Sequence, residues 1–353
     1  MKKLLLGGII ATFVFGFLGV TYTNAIVVKD YQWAQVSSDG FDDPWHNTKI
    51  EKLIKFKKKL YATTYNETTG VEVWRYDGTS WEQVNSDGFG DSNNTYISAV
   101  TIYKNKLYMA TYNETTGTEI WYTKKGDNWK QKSKDGFNKE TNTTTTLLQP
   151  YKGKLYAFTE LGVYRAKYPK KKTWKKKGTI EITVNVATKM DNTLYVGGDS
   201  EVLYSTINGT TWDVANDNGW GETTNTKITA LDYKNNKLFV GTKNETDGAQ
   251  LWRYSEGVWL QVGGDGLGDP ENTVISDFVV KKKKGKKYIY IGLKNTNGLK
   301  VFRSRGGSKW FQLNNEDGFG QADNINPTDM EYYNNMLFVS VNDSVWATNF
   351  SKN

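Results

Sequence analysis

Asp87, Asp91 and Asn93 set three hard oxygen donors along one glycine-containing stretch, and Asp265 and Asp269 repeat the spacing of the two acids. Oxygen ligands on a flexible loop suit calcium. Calcium is therefore the one cofactor the chain is expected to accept, and none is expected to be required. Two tryptophans, Trp45 and Trp220, fall in loops on the same face, where an amphipathic ring can stack on a sugar. The other 11 of the 13 tryptophans occupy recurring strand positions. Asn47, Asn94, Asn142, Asn225, Asn272 and Asn324 recur where each loop enters the next strand, and are expected to share the ligand face with the two tryptophans. A single histidine, His46, and the absence of cysteine remove thiolate zinc sites, cysteine nucleophiles and any base scheme needing a second histidine.

These residues belong to a phrase that recurs along the chain: WAQVSSDGF at Trp33, WEQVNSDGF at Trp81, WKQKSKDGF at Trp129, WLQVGGDGL at Trp259 and WFQLNNEDGF at Trp310. The anchoring tryptophans Trp33, Trp81, Trp129, Trp174, Trp212, Trp259 and Trp310 are spaced 48, 48, 45, 38, 47 and 51 residues apart. Between each pair lie three further stretches rich in β-branched and aromatic residues, such as YISAVTIY, KLYMATY and TEIWYT in the second unit. A period of about 45 residues with four strands is the arithmetic of a β-propeller blade. The chain opens on a lone fourth-type strand at Trp33 and ends after a third-type strand at Trp346. The expected fold is therefore an all-β, seven-bladed propeller over residues 26–353, its last blade completed by the N-terminal strand, which removes two exposed edges.

Alternating strand direction puts the phrase loops and the second-to-third connections on one face. Asp-Gly there supplies a turn and a side chain that can bond nearby amides, and the apolar residue that follows is expected to tuck between blades. Two readings of the phrase stand, a joint and a binding site. The opposite face collects lysine, of which there are 41 against 5 arginines. Lys171, Lys172, Lys176, Lys282, Lys283 and Lys286 are the expected contacts to an anionic membrane surface. Nucleic acid is not an expected partner, because so few arginines are present.

Residues 1–25 combine Lys2 and Lys3, an apolar run from Leu4 to Val20, and a small residue at Ala25. They read as a signal peptide or, uncleaved, as a membrane anchor. The expected location is outside the cytoplasm, secreted or held at the cell surface. Export without cysteine suits a bacterial or archaeal envelope. Eight Asn-X-Ser/Thr sequons, at Asn66, Asn93, Asn113, Asn142, Asn208, Asn244, Asn342 and Asn349, mark glycosylation acceptors by sequence.

The stretch Ser205-Thr-Ile-Asn208-Gly209-Thr-Thr-Trp212 resembles the Asp-box hairpin of sialidase-like propellers, Ser-X-Asp-X-Gly-X-X-Trp. Ser205, Gly209 and Trp212 match, whereas Ile207 holds the acidic position and Asn208 stands one place late. The resemblance implies a propeller and a structural hairpin. It does not bring catalysis: Arg75, Arg165, Arg253 and Arg303 share one repeating strand position, a packing pattern and not a substrate clamp. The functional expectation is an extracytoplasmic, non-enzymatic binding or scaffold module for a cell-surface polysaccharide or an envelope protein. A glycoside hydrolase using channel-mouth carboxylates and a passive surface-layer component are the alternatives.

Overall fold

The first strand of each repeat does not follow the simple alternation of a half-buried strand. Lys49–Phe56 buries Ile50, Leu53 and Phe56, three residues apart, because its pairing with Lys59–Tyr65 shifts register between Ile50 and Lys52. The same shift recurs between Ile97 and Ala99, Thr145 and Leu147, Val184 and Val186, Ile228 and Ala230, Ile275 and Asp277, and Pro327 and Asp329. Each is a bulge that turns one extra side chain out of the ladder. Five of those side chains are hydroxyls that donate to the next repeat, four of them to a main-chain carbonyl: Ser98 to Thr145 O (2.8 Å), Thr146 to Val184 O (2.5 Å), Thr229 to Ile275 O (2.7 Å) and Thr328 to Ile50 O (2.6 Å), with Ser276 donating to Asn326 Oδ1 (3.1 Å). The Thr328 bond ties the end of the chain to its beginning.

The computed structural model describes residues 32–348, apart from residues 217, 235, 284 and 285 and the side chains of residues 282, 283 and 287. The expected leader, the sequon at Asn349 and the side chains of Lys282 and Lys283 lie outside the described residues. Among the described residues the chain is all-β with short 3-10 turns, and no helix is long and apolar enough to cross a membrane. The strands form three four-stranded and two eight-stranded antiparallel sheets. Each larger sheet is two four-stranded units joined through one residue pair, Tyr65 with Tyr96 or Lys243 with Val274. One four-stranded sheet takes its outer strand from the start of the chain: Trp33–Gln35 pairs with Ser344–Thr348, Trp33 opposite Thr348. Second strands such as Lys59–Tyr65 are buried almost throughout, so their sequences read as apolar or small-polar runs.

The recurring phrase is the joint between units. Its glycine and the apolar residue after it both adopt left-handed conformations, as at Gly40 (φ 54°) and Phe41 (φ 55°). An aromatic residue there costs about 1–2 kcal/mol, which a buried, stacked ring outweighs. Phe41 stacks on Trp74 (4.7 Å, 8°) and meets Trp81 edge-on (5.1 Å, 65°). Phe89 does the same with Trp121 and Trp129, and Phe137 with Tyr164 and Trp174. The fourth-strand tryptophan reaches back to the preceding unit, Trp81 Nε1 to Val36 O (2.8 Å), Trp129 Nε1 to Val84 O (2.9 Å) and Trp174 Nε1 to Lys132 O (2.9 Å). The turn's aspartate is held by the phrase's own glutamine, as in Gln83 Nε2 to Asp87 Oδ1 (2.6 Å). A Cβ on Gly70 would lie 2.7 Å from Gly88 Cα, so Gly70 admits no side chain where the two loops cross.

Where the last units meet the first, three half-buried acids hold main-chain amides. Asp277 accepts from the amides of Phe278 (2.7 Å) and Met330 (2.9 Å), Asp329 from Leu53 (2.8 Å), and Glu331 from Lys55 (2.9 Å). Burial, then the neighbouring Asp329 carboxylate, pushes Asp277 well above its ordinary value, and burial also raises Asp329. Asp232 is pushed up to about 6 by burial. A folded state that keeps protons the unfolded chain releases near pH 4 is stabilised below that pH and loses the contribution as pH rises towards the folded values. The thermal midpoint, followed by circular dichroism at about pH 5, 6.5 and 8, is therefore expected to fall with pH. In Asp277→Asn the fall is expected to be smaller; parallel slopes in the two proteins would count against Asp277 as its source.

Candidate functional site

The six asparagines expected to face a ligand are instead buried in the joints. Asn47 Nδ2 donates to Gly40 O (3.0 Å) and to Glu72 Oε2 (2.8 Å), and Asn94 Nδ2 to Gly88 O (2.8 Å) and Glu119 Oε2 (2.9 Å). Asn142, Asn225, Asn272 and Asn324 make the same bond to Gly136, Gly219, Gly266 and Gly318. Their carbonyl oxygens serve a second layer: Asn66, Asn113, Asn295 and Asn342 donate to Asn47, Asn94, Asn272 and Asn324. The asparagines of four sequons, Asn66, Asn113, Asn142 and Asn244, are fully buried and so cannot accept a glycan in the folded chain.

The acids proposed for calcium are likewise committed to protein partners. Asp91 accepts from Asn93 (2.8 Å) and Asn113 (3.0 Å), and Asp265 from Gln250 (2.9 Å) and Gln261 (2.7 Å). Asp269 binds the Lys300 ammonium at 2.6 Å, where a cation would otherwise sit. Burial raises Asp269, but Lys300 with the Glu271 and Asn295 donors outweighs it and leaves the carboxyl below its ordinary value. Among the described residues no three His, Cys, Asp or Glu side chains converge on a metal position.

The two loop tryptophans part company. Trp45 is 88% exposed. Trp220 fills the slot that phenylalanine fills elsewhere, stacked on Trp252 (5.6 Å, 13°) with Trp259 edge-on (5.1 Å, 71°), and it belongs to the joint. The lysines Lys171, Lys172, Lys176 and Lys286 are exposed. The arginines are spread over separate units: Arg75 pairs with Glu82 (2.7 Å), and Arg165 donates to Tyr156 (3.1 Å). In the Asp-box-like hairpin Asn208 Oδ1 accepts from the amides of Thr210 (2.8 Å) and Thr211 (2.9 Å), as Asp77 does from Thr79 and Ser80. The late asparagine thus does the aspartate's turn-holding work.

A different constellation lies at the face where second strands end and phrase loops enter first strands. An open groove of about 720 Å³ is lined there by Tyr65, Tyr96 and Tyr112 with Glu51, Glu67 and Glu114. Tyr96 stacks on Tyr112 (4.9 Å, 12°) and leans on Tyr65 (5.6 Å, 32°), giving a continuous aromatic rail. The Tyr65 hydroxyl donates to Glu67, and this bond, then burial, pushes its pKa up to about 12. Burial, then Glu51, pushes Tyr96 to about 12 as well. Both hydroxyls therefore stay protonated at neutral pH. Lys49 is bound to Glu51 at 2.9 Å. Only the end rings, Tyr65 and Tyr112, keep a face free for a ligand, and the carboxylates beside them can accept its hydroxyl or ammonium protons.

The slot is not uniform around the molecule. The residues matching Tyr65 and Tyr112 at the ends of other second strands include Lys243, which pairs with Glu245 (3.0 Å), while Lys227 opposite it pairs with Asp199. The place that tyrosine holds at Tyr65 and Tyr112 is thus held here by a lysine paired with an acid. No sequence signal was drawn from Tyr65, Tyr96 or Tyr112 because they sit in strand positions that are core everywhere deeper in the sheet.

No family model matches the chain, and no curated protein matches it. Solved structures do share its form. Over 92% of its length it superposes, with TM-score 0.64 and 14% identity, on the extracellular domain of BT4673, described as a hybrid two-component system of B. thetaiotaomicron. It covers 91% of its own length and 98% of the WD40 β-propeller domain of Doa1 at TM-score 0.58 and 12% identity. The fold is that of a β-propeller. The Neurospora crassa Pan2 WD40 domain gives TM-score 0.58 at 8% identity over 91% of this chain and 97% of that one. This propeller spans only 40% of the BT4673 structure, and at such identities the likeness is one of fold alone.

The division between joint and groove predicts opposite behaviour for the two loop tryptophans. Trp220→Ala is expected to lower stability by roughly 2–4 kcal/mol, read from denaturant midpoints, whereas Trp45→Ala leaves the midpoint unchanged. Adding EDTA is expected to shift neither; a clear drop with EDTA would restore calcium to the phrase loops.

Proposed function

We propose that the chain is an exported propeller of seven blades, closed by its N-terminal strand, that binds a cell-surface glycan without turning it over. Counting each eight-stranded sheet as two blades supports the number seven, and the bonds from Thr328 to Ile50 and from Leu53 to Asp329 support closure. The apolar leader in the sequence supports export, and so does the likeness to a domain described as extracellular.

The observation that carries the binding reading is the rail of Tyr65, Tyr96 and Tyr112. Around the molecule the joints repeat almost residue for residue, because every blade must dock on its neighbour. The mouth positions repeat only in part: Tyr65-Asn66-Glu67 recurs as Tyr112-Asn113-Glu114, whereas Lys243-Asn244-Glu245 puts a lysine in the tyrosine's place. The outer rings of the stack, Tyr65 and Tyr112, can each offer a face to a sugar, with Glu51, Glu67 and Glu114 placed to accept hydroxyls beside them. A non-enzymatic role is favoured because Glu51 is neutralised by Lys49 and Glu67 is bound by Tyr65, while the most perturbed carboxylates, Asp277 and Asp329, are committed to main-chain amides.

A glycan array probed with the purified chain is expected to return a selective set of oligosaccharides. Tyr112→Ala is expected to weaken the best of them roughly tenfold, the worth of one lost stack, while Tyr112→Phe, which keeps the ring, binds nearly as well as the parent. A blank array, or equal affinity in Tyr112→Ala and the parent, would remove the glycan reading and leave an envelope protein as the partner to seek.

A further inference from the structure

At the opposite ends of the same strands lies a second concavity of about 400 Å³. It is built by the hairpin joining Tyr96–Tyr103 to Lys106–Tyr112 and by the third-to-fourth connections of two successive blades. Six lysines converge on it: Lys104, Lys106, Lys124, Lys132, Lys167 and Lys170. No acid lines it, and among the described residues none of the six is in an ion pair. Elsewhere the chain does match its cations: Lys49 with Glu51, Lys227 with Asp199, Lys243 with Glu245 and Lys300 with Asp269.

Four of the six ammonium groups, those of Lys104, Lys106, Lys132 and Lys167, lie over tyrosine rings. Lys104 Nζ lies 3.9 Å over the Tyr168 ring and donates to Lys167 O at 3.1 Å. Lys132 and Lys106 both lie over Tyr122, at 4.4 and 5.2 Å from its centroid. Two like charges drawn to one ring raise the local positive potential, and the concave wall focuses it. Tyr168 is 60% exposed, an apolar surface beside the charges.

We propose that this pocket binds a phosphate ester, its oxyanion among the lysines and its organic body against Tyr122 and Tyr168. The site is independent of the glycan groove: a variant lacking Tyr112 should retain it, so failure of one reading does not entail failure of the other. Glycerol 3-phosphate represents a soluble ester, and vesicles containing phosphatidylglycerol in phosphatidylcholine represent the same group on a lipid.

Binding of the full chain to each probe would be measured by calorimetry and by co-sedimentation, at low and raised salt. Replacing Lys104, Lys132 and Lys167 together by Gln is expected to weaken whichever probe binds by at least about tenfold. Replacing the exposed Lys171, Lys172 and Lys176 by Gln is expected to change it by less than about threefold. Loss in the first variant for glycerol 3-phosphate identifies a soluble ester, and loss for vesicles alone identifies the lipid. The proposal is overturned if neither probe binds the parent, or if both triple variants weaken binding equally, since that would be diffuse charge and not a pocket.

Discussion

The structure depends on a ring held in an unfavourable backbone conformation. In each complete copy of the phrase an aspartate, or Asn218 in one copy, and a glycine turn the chain so sharply that the next residue is left-handed, and that residue is Phe41, Phe89, Phe137, Trp220, Leu267 or Phe319. The turn has no intrinsic reason to place a large side chain there. It persists because the ring fills the space between the third-strand and fourth-strand aromatics of the blade it enters, burying more surface than the dihedral costs. At Trp33, Trp81, Trp129 and Trp174 the fourth-strand tryptophan then bonds the main chain of the preceding blade, which helps fix the angle between neighbours, whereas Trp310 Nε1 is buried without a partner among the described residues. Where the phrase is missing, before Val184–Met190, the buried face is met by Val184 with Ile180 and Ile182 against it.

A repeated constraint of this kind divides the residues into two classes. Those that dock blades recur: the glutamine on the turn aspartate, the asparagine on the glycine carbonyl, and the third-strand Glu72, Glu119 or Gln250 that accepts from both that asparagine and the following tryptophan. Burial raises Glu72 and Glu119, yet each has two donors, so the strain is met within the joint. Residues free of docking vary. Tyr65 and Lys243 hold matching places, and only the first belongs to an aromatic rail. Variation against a periodic background points to function where a single sequence offers no other comparison.

The same division explains what could be read in advance. The tryptophan spacing and the Leu-Tyr pairs of the second strands were legible because their period is long and their residue types are unambiguous. The bulges were not, since inserting one residue at Glu51 or Ser98 leaves local composition unchanged while resetting which side chains face inward. The asparagines misled because a buried Asn and a surface Asn look alike until Glu72, 25 residues on, is known to lie beside Asn47. Trp220 carried its own correction: aligned with Phe41 and Phe89 it already occupied the plug position, and only its size suggested a sugar. Tyr65, Tyr96 and Tyr112 gave no warning because strand tyrosines such as Tyr61 and Tyr108 are core.

The two concavities can act separately because of distance. The seven-residue strand Lys106–Tyr112 runs from one to the other, and at about 3.3 Å per residue it separates them by roughly 20 Å, more than twice the ~8 Å screening length of physiological salt. Charge gathered around Lys106 therefore has little influence on a ligand beside Tyr112, and the tyrosine-glutamate mouth need not be weakened by the lysines beneath it. Mechanical coupling is equally limited, since the strand is paired on both sides and its neighbours are clamped by joints that admit one packing. A propeller built this way can hold an anion on one face and present a binding groove on the other without either event altering the other's geometry.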